Sequence, residues 1–138
     1  RTYLEAEAER RGLVNVTFVG RVSDEDLPRY YAAADLFVYP ELTQPAFGLV
    51  AAEAMACGTA VVASNHGAIP EVVGDAGRLF PPGDAHALAG EIREFFEHEN
   101  PCDAGGAARK RVQTLFPVER MIDETLSLYE NMVGRRGP

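Results

Sequence analysis

The stretch from Pro40 to Ser64 reads PELTQPAFGLVAAEAMACGTAVVAS, and it holds the residue types best suited to chemistry. A helix opening at Phe47-Gly48-Leu49 presents backbone N–H groups with no acceptor inside the helix, plus the partial positive charge of its dipole. That combination binds a phosphate or diphosphate. Gly48 carries no Cβ to obstruct a ligand approaching the backbone, although a plain tight turn also calls for glycine. Glu53 falls about a turn and a half further along. There its carboxylate can accept hydrogen bonds from the paired hydroxyls of a ribose, as an acidic side chain does in dinucleotide-binding folds. The competing assignment for Glu53 is an ordinary exposed helix position, or a brace between helix and sheet.

Other reactive residue types carry less. His66, in HGAIPE, has no evident nucleophile or carboxylate partner, so it is read as structural. Glu71 is expected to brace the short turn after Pro70, with contact to a ligand the alternative. Cys57 sits among small helical residues and is expected to be packed and inert. Tyr30 and Tyr31 read as core or rim. Arg109, Lys110 and Arg111 form a basic run expected to be a solvated helix face, with contact to a membrane surface the minority reading. Catalytic residues are not identifiable from these patterns.

The elements that must position these groups follow from periodicity and punctuation. Residues 2–11 read as a helix stopped by Gly12. Asn15–Val19 (NVTFV) predicts a strand ending at Gly20. Ser23 then reads as an N-cap, with Asp26 as a carboxylate variant of the capping-box partner. The helix it opens should run to about Ala34 and bury Leu27, Tyr30, Tyr31 and Ala34. LFVY, TAVVAS and GRLF predict three more strands, separated by the helix at 48–57 and a short helical turn, IPEVV. Alanines at 51, 52, 54 and 56 permit that longer helix to lie close to a sheet. Asp84 should cap an amphipathic helix with Leu88, Ile92, Phe95 and Phe96 inward. After a break at Asn100-Pro101, helices are expected over about 104–115 and 118–133, followed by a loose tail.

Short apolar strands alternating with helices predict a Rossmann-like, doubly wound parallel sheet that binds ligands beyond the carboxyl ends of its strands. Those ends carry Gly20-Arg21-Val22, the 40–47 loop and Ser64 to Gly67. About four strands are visible, against ~5–6 in an average sheet. The pattern therefore suggests a partial domain, with a preceding strand-helix-strand portion outside this sequence.

Composition sets outer limits. The chain has 138 residues, 46% hydrophobic and 25% charged, enough for one globular domain with one core. Twenty-one acidic against 13 basic side chains give a formal charge of -8. That argues against nucleic acid or an anionic membrane as the main partner. No apolar run approaches the roughly 20 residues that span a bilayer. Cys57 and Cys102 make neither a disulfide framework nor a zinc-binding spacing, which points to a reducing, cytoplasmic setting and to no bound metal.

FGLVAAEAMACGTAVVAS, preceded by VTFVGRVSDEDLPRYYAAADLFVYP and followed by HGAIPEVVGDAGRLFPPGD, resembles the donor domain of the retaining glycosyltransferases called group 1, or family 4. The resemblance covers essentially the whole chain, with separated motifs in the family's order. It implies the C-terminal half of a GT-B fold. Residues 1–133 would be the donor domain, incomplete on its N-terminal side, and 134–138 a tail. It further implies transfer of a hexose from a nucleotide-diphosphate sugar with retention, without metal or other cofactor, and an acceptor-binding N-terminal domain as the covalent partner.

Carried over by position, the resemblance gives Glu53 the ribose hydroxyls. The backbone of Phe47, Gly48, Leu49 and Val50 would meet the diphosphate and sugar, and Arg21 and Val22 would lie against the base. The family's earlier glutamate, eight residues before the helix one, contacts the donor sugar; here that position is Pro45. With one extra loop residue Gln44 takes the place as a neutral amide, and Glu41 is a more distant candidate. The Arg and Lys that neutralise the diphosphate in the family would precede residue 1. Two other readings keep the fold. One is a nucleotide-sugar epimerase or phosphorylase. The other is a degenerate, non-catalytic partner domain, which Pro45 favours.

Overall fold

The computed structural model describes residues 2–43 and 47–134. Along the chain run α1 (Thr2–Arg10), α2 (Leu27–Ala33), β1 (Leu36–Tyr39), α3 (Leu49–Ala56), β2 (Ala60–Ser64), α4 (Ile69–Val73), β3 (Arg78–Phe80), α5 (Ala85–His98), α6 (Pro101–Leu115) and α7 (Val118–Gly134). The three strands are parallel in the order β1-β2-β3, with Leu36 opposite Ala60 and Val62 opposite Arg78. β2 is buried along its whole length, as expected of a continuously apolar strand flanked by neighbours and covered on both faces.

Local chemistry accounts for the helix ends. α1 and α3 close on glycines with positive φ, Gly12 (64°) and Gly58 (84°). In each, the glycine N–H and the next residue's N–H turn back to the last carbonyls: Gly12 to Glu9 and Leu13 to Ala8, Gly58 to Met55 and Thr59 to Ala54. This is the Schellman arrangement. Asp84 caps α5 by accepting from the Ala87 N–H at 2.9 Å. Asn100 caps α6, accepting from Cys102 and Asp103, with Pro101 in the first turn, so that helix starts earlier than about 104.

The core gathers Tyr31, Met55, Val61, Ala63, Ile69, Val72 and Val73, with alanines 51, 52, 54 and 108 filling the narrowest gaps. α6 packs against both α3 and β2, and its approach is set by backbone rather than by side chains. A Cβ on Gly105 of α6 would stand 1.9 Å from the Gly58 carbonyl oxygen. On β3, the edge strand next to β2, Arg78 pairs with Glu91 of α5 at 2.7 Å and with Glu99, the residue that caps it, at 2.5 Å.

Several expectations need correction. Asn15–Val19 forms no strand. An extended run becomes a strand only when it joins a ladder of neighbours, and this run is not one of the three strands of the sheet. Val14, Val16 and Val19 are accordingly exposed. The sheet thus has three strands rather than about four among the described residues. Ser23 caps a turn rather than the first turn of α2. Its hydroxyl accepts from the Asp26 N–H at 3.2 Å and donates to the Asp26 carboxylate at 2.9 Å, and α2 begins four residues later. Tyr30, Ala34 and Phe96 are exposed, because α2 and α5 each bury a narrower stripe than their apolar content suggests. Residues 135–138 of the expected tail lie outside the described residues.

The α3–α6 contact generates a paired expectation. Gly105→Ala should destabilise the fold by about 2–3 kcal/mol, because the added methyl meets a carbonyl that cannot move without shifting α3. Gly106→Ala, one residue on and facing open space, should instead stabilise by about 0.5–1 kcal/mol through helix propensity. Thermal or urea unfolding of the two variants should move in opposite directions. Equal effects would show that the two helices do not meet at Gly58 and Gly105.

Candidate functional site

α3 follows β1 in the chain. Its N-cap, Gly48, holds φ 87° and ψ 43°, the left-handed region. A side chain there is strained whatever the space available. A Cβ would also meet Ile69 at 3.4 Å, and Gly48 is itself buried. Glycine is therefore required by backbone conformation, independently of any ligand. The Gly48 carbonyl accepts from Ala51 and Ala52, while the N–H groups of Leu49 and Val50 meet no acceptor among the described residues. Phe47 turns its ring inward, edge-on to Phe116 at 5.4 Å, so only its backbone belongs to the helix opening. Leu49 is exposed and Val50 half-buried.

Glu53 is exposed, and its carboxylate accepts a hydrogen bond from the Tyr31 hydroxyl at 3.2 Å. Tyr31 is buried. Its ring packs edge-on against Phe37 at 5.4 Å, and its carbonyl accepts from the Thr59 hydroxyl at 2.6 Å. Burial first, then the charge of Glu53 and the bond to it, push the Tyr31 hydroxyl up to about 12. The aromatic row continues along one face of β1. Phe37 stacks on Tyr39, whose hydroxyl donates to Glu41 at 3.3 Å.

Glu41 is committed to the loop. One carboxylate oxygen accepts from the N–H groups of Leu42 and Thr43 and from the Thr43 hydroxyl, at 2.7–2.9 Å. The Thr43 hydroxyl and N–H, ahead of the opposing effect of burial, hold this carboxyl below its ordinary range. Its bonds therefore contribute stability above the ordinary carboxylate pKa, and the contribution is lost as the pH falls through the lowered value. Ser64, fully buried at the end of β2, donates to the Glu41 carbonyl at 2.8 Å and so ties the loop to the neighbouring strand.

The structure brings some of the expected residues together and leaves others apart. Phe47, Gly48, Leu49, Val50 and Glu53 share one helix opening. Gln44 and Pro45 lie outside the described residues. Arg21 is exposed and Val22 half-buried in a segment without regular structure, and among the described residues neither hydrogen-bonds to α3. His66 is half-buried, with its N–H on Ser64 and its carbonyl on Ile69. Glu71 is exposed.

Arg111 is not part of a solvated face. Its guanidinium donates to the Val72 carbonyl at 2.9 Å and the Glu71 carbonyl at 2.8 Å, and pairs with Asp75 at 3.1 Å. It caps the carbonyl end of α4, where a cation is favoured. A Cβ at Gly74 would collide with it at 2.2 Å. Neither this clamp nor the Tyr31–Glu53 bond has a local sequence signal, since the partners lie 40 and 22 positions apart.

A groove of about 870 Å³ runs from Phe47 and Leu49 past Phe116 to Met121 and Leu128. Its largely apolar lining does not suit a diphosphate. Both cysteines are free. Among the described residues no helix is long and apolar enough to cross a membrane.

A parallel α/β sheet with a glycine-opened helix following its first strand defines a partial α/β domain of the GT-B class. The family model described as glycosyl transferases group 1 matches residues 1–111, and the chain belongs to that family of transferases. It is 38% identical over 115 residues to O-antigen chain mannosyltransferase B of Escherichia coli, covering 83% of this chain and 30% of that protein. Among solved structures it resembles sucrose-phosphate synthase of Thermosynechococcus elongatus, with a TM-score of 0.85, 38% identity, and 97% of this chain matched to 34% of that one. Anabaena HepE in complex with UDP gives a TM-score of 0.81 at 33% identity, with 91% and 36% of the two chains covered. The chain thus spans about a third of the length of these relatives.

Two outcomes follow from the geometry. Gly48→Ala should destabilise by about 1–2 kcal/mol, since alanine at this φ is strained even with Ile69 displaced. A melting temperature unchanged from wild type would mean that the helix opens differently. The second concerns alkali. Tyr31 is favoured neutral in the fold, so its contribution is complete below the ordinary tyrosine pKa of about 10. It should disappear as the pH rises through about 12. The tyrosinate absorbance lost in Tyr31→Phe should therefore titrate well above 10; a midpoint at the ordinary value would refute the buried hydroxyl.

Proposed function

We propose that this chain supplies the donor site of a hexosyltransferase that uses a nucleotide-diphosphate sugar. The observation that carries the reading is the α3 opening. Two N–H groups without acceptors among the described residues lie at a helix start, with a carboxylate at Glu53 on the same helix. The first suits a diphosphate and the second a ribose. Anabaena HepE, a relative by structure, has been solved with UDP and with UDP-glucose, and several relatives by sequence are named mannosyltransferases. These support a sugar donor and leave the base and the hexose open.

In this reading Phe47, Gly48, Leu49 and Val50 meet the diphosphate and sugar through their backbone. Glu53 holds the ribose hydroxyls, and Arg21 and Val22 lie against the base. Residues 1–133 form the donor domain, an acceptor domain elsewhere in the full-length protein completes the cleft, and 134–138 are a tail. Glu41 does not take the sugar-contacting role, because its carboxylate is spent on the loop. The reaction runs with retention and without a bound metal, in the reducing cytoplasm that the two free cysteines suit. Product anomer analysis and an assay with excess chelator check the first two of these points.

The deciding experiment is nucleoside-diphosphate affinity by calorimetry in the full-length protein. Charge-assisted hydrogen bonds are each worth roughly 1.5–3 kcal/mol. Glu53→Ala should therefore weaken binding by about 10- to 100-fold, and Glu53→Gln by less. Because Glu53 is exposed, the melting temperature should change little. Unchanged affinity in Glu53→Ala would sink the ribose assignment, and loss of stability in proportion to binding would make Glu53 a brace.

A further inference from the structure

We propose that Tyr31 is the positioning residue for Glu53: its hydroxyl holds one carboxylate oxygen so that the remaining acceptor sites face a ligand's vicinal diol. The proposal rests on the reading of Glu53 as the ribose acceptor. Its own observations are geometric. Tyr31 is fixed by its ring on Phe37, by its carbonyl under the Thr59 hydroxyl, and by burial. Glu53, by contrast, is exposed on the outer face of α3. Of two bonded groups, the immobile one dictates the position of the mobile one, so constraint passes from Tyr31 to Glu53 across 3.2 Å.

The acceptor arithmetic agrees. A carboxylate offers about four lone-pair sites. Tyr31 occupies one, and a vicinal diol needs two. A free glutamate also loses rotamer entropy when a ligand fixes it. Glu53 has part of that freedom removed before the ligand arrives, which is preorganisation in the ordinary sense. Tyrosine suits the task because it stays a neutral donor throughout the physiological range, and burial beside Glu53 reinforces that. The sequence alone placed Tyr31 in the core or rim; the structure puts its ring in the core and its hydroxyl on the candidate site.

The test separates this claim from the assignment beneath it. UDP, GDP and ADP are titrated into the full-length protein alongside their 2′,3′-dideoxy analogues. The ratio of the two dissociation constants then measures preference for the ribose hydroxyls, independently of how much protein is folded. Wild type should show a preference of about 10- to 100-fold. Glu53→Ala should abolish it. Tyr31→Phe, which keeps the ring, should cut it by about three- to tenfold, and the double variant should match Glu53→Ala alone. In turnover, Tyr31→Phe should raise KM with kcat nearly constant, the pattern of lost uniform binding.

A Tyr31→Phe preference equal to wild type, with Glu53→Ala having lost it, would overturn the positioning role and leave the ribose assignment standing. A double variant weaker than Glu53→Ala would also overturn it, since Tyr31 would then act by another route. No ribose preference in wild type, or none of the three nucleotides binding, would instead overturn the reading of Glu53.

Discussion

The approach of α6 to the end of α3 is the constraint on which the rest depends. Where the two helices meet there is room for one backbone against another and nothing more, because Gly105 sits over the Gly58 carbonyl. That contact holds the C-terminal end of α3. Buried alanines along the helix let it settle on β1 and β2, and Gly48 fixes its opening. Hydrophobic burial supplies the driving force, but backbone proximity decides position, since packed interiors transmit a displacement rather than absorb it. A shift of α3 by one methyl would move the helix opening and Glu53 together.

Much of this was legible in the sequence, for reasons that can be assigned. Helix ends at Gly12, Gly58, Asp84 and Asn100 are local events, in which one residue's conformational freedom or side-chain oxygen satisfies backbone groups within a few positions. Strands β1 and β2 announced themselves by apolar runs of the right length between breakers. Asn15–Val19 has the same local pattern and is not one of the sheet's strands, because membership of a sheet is a property of the whole fold rather than of the run. The exposure of Tyr30 and Phe96 has a similar origin: helical spacing sets which residues share a face, and the tertiary contacts set how wide a face is buried.

What stayed hidden at the site was interaction at a distance along the chain. Glu53 was visible through its place in the motif, yet its partner Tyr31 reads locally as one of two adjacent tyrosines. Arg111 reads as the end of a basic run, and only folding brings it to the carbonyls of α4. In both cases a side chain from one helix completes another element's polar groups. The chemistry is ordinary, but its address cannot be inferred from spacing. The same holds for Glu41, whose value as a free carboxylate vanishes once the loop turns its own N–H groups onto it.

The division of α3 into two faces bears on how such a domain can be altered. Ala51, Ala54 and Met55 are wholly enclosed, whereas Leu49, Glu53 and Ala56 form an outward stripe spaced four and then three residues apart. Variation on the stripe alters the surface while leaving the scaffold untouched; variation behind it disturbs the scaffold with nothing gained at the surface. Diversification over the course of descent, or in a laboratory library, is therefore channelled to a few positions. A randomised set at 49, 53 and 56 should yield mostly folded proteins, and one at 51, 54 and 55 mostly unfolded ones.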